Sequence, residues 1–92
     1  MHEDSGVHHS HAEVLKRLRR AHGHLGAVIS MVEKSRPCVE TAQQLHAVVK
    51  AVENAKRLFV QDHIDHCITA GSDGSSGTVE AIQELKEITK YL

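Results

Sequence analysis

The sequence predicts an all-α protein with three helices, the central one unusually long. Three features predict it. Apolar residues recur at steps of three and four in three separate runs; the runs are divided by SRP at 35–37 and GSDGSSG at 71–77; and no alternating strand pattern occurs.

Taken in order, residues 1–11 hold His2, His8, His9 and His11 in a polar, His-biased tail that is expected to be disordered. Residues 12–34 carry Val14, Leu18, Ala21, Leu25, Val28 and Val32, the stripe of an amphipathic helix. Gly23 and Gly26 within it each weaken a helix by about 1 kcal/mol against Ala, so they are expected to mark a close helix approach. Pro37 disfavours helical geometry at Arg36 and suits the first turn of a following helix, which predicts a tight helical hairpin. From Cys38 to about Ala70 there is neither Gly nor Pro, and Ala42, Leu45, Val49, Val52 and Phe59 keep the helical step for about nine turns. After the break, Val79, Ile82, Leu85, Ile88 and Leu92 predict a short third helix.

Ninety-two residues make one domain, taken as residues 12–92, and a helical core of this size usually needs added burial, for which partner subunits are the natural source. With no Trp, one Phe and one Tyr, stacking of aromatic side chains on bases is not expected. No leader-like apolar segment opens the chain, and no run approaches the roughly 18 apolar residues of a membrane span. A cytoplasmic protein with no membrane partner is expected, and its two cysteines are then ligands or reactive thiols rather than a structural disulfide.

His63 and Cys67 stand four apart, so they share a helix face and could grip one ion. Cys38 precedes them by 25 and 29 residues, which at about 100° per residue returns it to within roughly 20° of each around the helix. Yet at about 1.5 Å per residue Cys38 and His63 lie roughly 37 Å apart along it. They can meet only between two chains. Antiparallel pairing of two central helices, centred near Ala51 and Val52, sets Cys38 of one subunit against His63 and Cys67 of the other, giving two equivalent sites. Two thiolates and an imidazole suit Cu(I), Zn(II) or, with a fourth nitrogen, Ni(II), and exclude Ca(II) and Mg(II). His66, beside this face, is a spare ligand or a solvated side chain. Two other readings stay open: Cys38 and Cys67 as small buried apolar residues, with His63 a satisfied polar group, or a thiol-redox pair, which leaves His63 without a role.

The formal net charge is −1, but residues 16–57 hold nine of the eleven Lys and Arg against three Glu. Lys16, Arg17, Arg19 and Arg20, with Lys56 and Arg57 on the central helix, are either a solvated face or, repeated by symmetry, a surface for DNA phosphates. No helix-turn-helix, zinc-finger spacing or basic zipper is present, so DNA contact is expected to be unconventional. No Gly-rich phosphate loop, nucleophile elbow or paired catalytic carboxylates occur, so an enzyme is not expected.

RLRRAHGHL at 17–25, PCVETAQQLHAV at 37–48, DHIDHC at 62–67 and AIQELKEITKYL at 81–92 together resemble the copper-sensitive operon repressors, the CsoR family, with their RcnR- and FrmR-type relatives that sense nickel, cobalt or formaldehyde. The resemblance runs from about Val14 to Leu92. It implies a three-helix protomer, an antiparallel dimer and a dimer-of-dimers tetramer. Further, it implies repression of metal efflux or resistance genes that ends when the ligand binds, with Cu(I) first and Ni(II) or Co(II) as alternatives. Cys38, His63 and Cys67 fall on the copper sensors' ligand positions, Glu84 on their outer-shell glutamate, and Arg17, Arg19 and Arg20 on basic positions linked to operator binding. Departures also count. Pro37 stands where copper members often carry Tyr. His63 sets the chain apart from persulfide sensors, while His2 in place of Pro and the presence of Cys67 set it apart from formaldehyde sensors. Nickel and cobalt members add an N-terminal His, which His8, His9 or His11 could supply. A metal-buffering protein without a DNA role would use the same thiolates.

Overall fold

The computed structural model describes residues 10–72 and 78–92, with side chains described for residues 10–69 and 79–92. Three helices follow one another: α1, His11–Glu33; α2, Cys38–Ser72; and α3, Thr78–Ile88, which tightens into a 3₁₀ turn over Thr89–Tyr91. No strand occurs among the described residues. The third helix thus stops sooner than its apolar spacing predicts, while α2 runs on through Gly71 into the expected break. Residues 1–9 lie outside the described residues, and with them most of the expected tail, including His2, His8 and His9. No described helix is long and apolar enough to cross a membrane.

The turn between α1 and α2 shows why the chain reverses at SRP. Ser35 N–H donates to Val32 O at 3.1 Å and Arg36 N–H to Met31 O at 3.0 Å, with Ser35 at a φ of 53°. This is a Schellman ending, whose left-handed residue satisfies carbonyls that the helix leaves without partners. Pro37 then offers its carbonyl to Thr41 N–H at 3.0 Å and Thr41 Oγ1 at 3.2 Å, opening α2 without needing an N–H of its own.

The described residues divide into two compact units, residues 13–56 and residues 57–72 and 78–92 with residues 10–12. In the first, α1 and the opening turns of α2 run antiparallel. His24 Nε2 lies 2.7 Å from Gln44 Oε1, and a cavity of about 220 Å³ is lined by Arg17, Arg20, Ala21 and His24 against Ala51 and Asn54. Its buried apolar residues are Val14, Ala21, Val28, Val48 and Ala55. In the second, Val60, Cys67 and Ala81 are buried, with Asp62 the buried acid.

Only half of the α1 stripe is buried. Val14, Ala21 and Val28 are covered, whereas Leu18, Leu25 and Val32 are exposed, as are Leu45, Val49 and Val52 on α2. A helix in so small a chain meets too few neighbours to cover a stripe wider than 100°. Gly23 and Gly26 are exposed, and among the described residues nothing lies within 4 Å of a Cβ built at either. The close approach expected of them does not occur among the described residues.

Candidate metal centre

One turn of α2 carries His63 and Cys67 on the same side, and α3 brings Glu84 to them. His63 Nε2 stands 2.9 Å from Glu84 Oε2, and the Cys67 thiol makes a long contact of 3.8 Å to Glu84 Oε1. Ligand atoms of all three lie within 4.8 Å of one another. Cys67 is buried, His63 half-buried and Glu84 open to solvent, so the cluster has a dry floor and a wet rim.

Burial pushes the Cys67 thiol above its ordinary value, and the Glu84 carboxylate adds to this by charge repulsion and by accepting the thiol's hydrogen bond. A proton therefore occupies the sulfur in the metal-free protein. A soft cation would displace it, since thiolate rather than thiol is the ligand. The sulfur and the imidazole nitrogen suit Cu(I), Zn(II) or Ni(II) by softness, whereas the carboxylate is a hard donor better placed to orient the imidazole than to bind a soft ion. Carboxylate–imidazole pairs of this kind orient metal-binding histidines elsewhere.

Cys38 is not part of this cluster. It is the first residue of α2, exposed, and lines a groove with Val32, Ser35, Arg36, Thr41 and Ala42. Twenty-five positions separate it from His63 on one unbroken helix. His66 is half-buried with its ring 6.3 Å from that of His63, edge to face. His11 lies instead on Phe59, ring centroids 5.3 Å apart. Lys16, Arg17, Arg19, Arg20, Lys56 and Arg57 are all exposed; Arg17 pairs with Glu13 at 3.0 Å one turn earlier, a half-exposed contact worth about 0.3–0.5 kcal/mol. Helix spacing alone could not have found Glu84, which lies on another helix beyond the Gly/Ser break. Phe59 read only as an apolar position.

Residues 10–91 match the family described as metal-sensitive transcriptional repressor. The chain belongs to that family. Among its relatives, the copper-sensing transcriptional repressor CsoR of Mycobacterium ulcerans (strain Agy99) is 36% identical over 77 residues, covering 84% of this chain and 65% of the relative. The chain thus spans slightly less than two thirds of that protein's length. CsoR of Bacillus subtilis (strain 168), also named as copper-sensing, is 31% identical over 81 residues, covering 85% of this chain and 80% of the relative. In solved structures, the nickel-responsive transcriptional regulator InrS superposes with a TM-score of 0.77 and 34% identity, over 90% of this chain and 93% of that one. All three of these relatives are named as transcriptional regulators, and the all-helical architecture expected from the CsoR resemblance is the one found.

Proposed function

We propose that the chain is a cytoplasmic metal-responsive repressor that binds operator DNA without metal and leaves it on binding Cu(I), so that metal efflux or resistance genes are expressed. The observation that carries this reading is the His63–Cys67–Glu84 cluster, where one carboxylate engages both an imidazole and a buried thiol. Copper-sensing relatives at 31% and 36% identity support the choice of metal.

Cys38 completes the ligand set from a second subunit. Twenty-five helical residues at about 1.5 Å rise amount to roughly 37 Å, too long a span for one ion, so Cys38 serves the partner's site. The exposed row of Leu45, Val49 and Val52 supports the pairing. Two α2 helices laid antiparallel about Ala51 and Val52 cover that row and bring each Cys38 to the other chain's His63 and Cys67. Glu84 then acts as the outer carboxylate that holds the His63 ring. On α1, the second exposed row of Leu18, Leu25, Ile29 and Val32 supports a further pairing of dimers into a tetramer. Lys16, Arg17, Arg19 and Arg20, with Lys56 and Arg57, form its DNA-phosphate surface, multiplied by symmetry.

Metal-driven release requires Cu(I) to bind the DNA-free form more tightly, a coupling that is typically about 1–3 kcal/mol. Titrating Cu(I) into a preformed complex with the operator upstream of the protein's own operon should release DNA from the unaltered protein. Cys38→Ala and His63→Ala should hold it. Release by both variants would sink the ligand assignment, and an unaltered protein that never binds the operator would sink the repressor reading in favour of metal buffering.

A second reading is favoured by the likeness to the nickel-responsive InrS. Ni(II) or Co(II) would recruit a fourth nitrogen, with His66, His8, His9 or His11 as the candidates. X-ray absorption decides between them: three-coordinate sulfur and nitrogen for Cu(I), four-coordinate planar geometry for Ni(II).

A further inference from the structure

Beside the candidate ligands lies a row of rings. His11, the first residue of α1, is stacked on Phe59 with centroids 5.3 Å apart and planes at 12°. Phe59 in turn lies 6.5 Å from His63 with planes at 18°. Near-parallel, offset rings at these separations attract one another. Phe59 and His63 are four apart on α2, so helix geometry alone sets their pairing. His11 comes from another helix, so its place on Phe59 is a tertiary contact. Glu84 holds the His63 ring at Nε2, and Phe59 flanks its face. The carboxylate at its edge and the neighbouring ring both limit how far the imidazole can turn.

We propose that Phe59 is a positioning residue for His63, and that the His11–Phe59–His63 stack carries the state of the metal site to the start of α1. The proposal rests on the reading that His63 is a metal ligand. The three turns that follow His11 carry Lys16, Arg17, Arg19 and Arg20, so whatever moves His11 acts on the first residue of the basic helix. Ligation pulls the His63 ring toward the metal; Phe59, resting on that ring, resettles, and His11 follows. In this arrangement His11 senses the site and does not ligate in it.

The test uses the full chain and Cu(I) alone, without DNA. Three readouts serve: affinity by competition with a colorimetric chelator, ligand set by X-ray absorption, and the His11 ring signals by NMR, assigned with His11→Gln. In the unaltered protein Cu(I) should shift the His11 signals. Phe59→Leu should abolish that shift and weaken Cu(I) binding by about tenfold or more, the usual result of losing an outer-shell support, with the sulfur and nitrogen ligands unchanged. Phe59→Tyr, which keeps the ring, should restore both. Phe59 is 38% exposed, so leucine there opens no core cavity, and helix content by circular dichroism checks the fold. Wild-type affinity and a normal His11 shift in Phe59→Leu would overturn the proposal, as would failure of Phe59→Tyr to rescue or loss of a nitrogen ligand in His11→Gln. Absence of Cu(I) binding in the unaltered protein removes the metal reading and this proposal together; normal binding with unmoved His11 signals removes this proposal alone.

Discussion

Glu84 reaches back from α3 to His63, carboxylate oxygen to Nε2 at 2.9 Å, and its other oxygen meets the Cys67 thiol at 3.8 Å. One side chain thereby steadies the imidazole and adds to the effect of burial in raising the pKa of the thiol. Glu84→Gln, which keeps shape and removes charge, should act on both. Metal affinity should fall by about 10- to 100-fold, as when outer-shell partners are removed elsewhere, and chelator competition measures it. Meanwhile the Cys67 thiol should ionise at lower pH, seen as an earlier rise in its alkylation rate as pH increases.

Cys67 also ties stability to pH. Its folded-state pKa lies above its unfolded value because of burial first and Glu84 second. The folded state therefore holds the proton more tightly, and the associated stability is complete below the unfolded-state pKa and lost as pH rises through the folded one. Urea midpoints of the metal-free protein should decline in the alkaline range, and Cys67→Ser should flatten that decline.

Ser35 occupies a left-handed position, φ 53°, at the end of α1. A residue with a Cβ is disfavoured there by about 1 kcal/mol, and glycine is the usual occupant. Ser35→Gly should raise stability by roughly that amount, less the added freedom of the unfolded chain, giving a melting temperature a few degrees higher by calorimetry.

Arg17 and Arg20 should each neutralise phosphate. Replacing both by Ala should weaken operator binding and reduce the slope of log K against log salt by about 0.9 for each phosphate left without its arginine. A titration across salt concentrations checks it, and an unchanged slope would take both residues off the DNA surface.

Val52 is exposed at the centre of the α2 row. Val52→Asp should place like charges together in a two-fold pairing and shift the sedimenting species toward a single chain. The helix content of that chain should drop only slightly.

Much of this molecule can be read from local chemistry. The three-four spacing of Val14, Ala21 and Val28, the Pro37 start and the long run from Cys38 without Gly or Pro are properties of adjacent residues, and the helices form where these point. The pairing of His63 with Cys67 is equally local. What periodicity cannot express is which chain covers a face, so Leu18 and Leu25 look like core beside Val14 although they are exposed. Nor can it carry across the Gly/Ser segment: Glu84 entered through the family resemblance, not through spacing. The stack of His11 on Phe59 depends on tertiary placement and has no signature in either residue's neighbourhood.

Leu18, Leu25 and Val32 on α1 and Leu45, Val49 and Val52 on α2 have a last consequence. If copies of the chain cover these rows, as proposed, folding is coupled to the number of copies, because mass action governs any state stabilised by a partner. Under the proposed antiparallel pairing, dilution would separate each His63 and Cys67 from the partner's Cys38. On the proposed function, metal affinity would then fall with protein concentration, so the amount of the chain in the cell would set the metal level to which it responds.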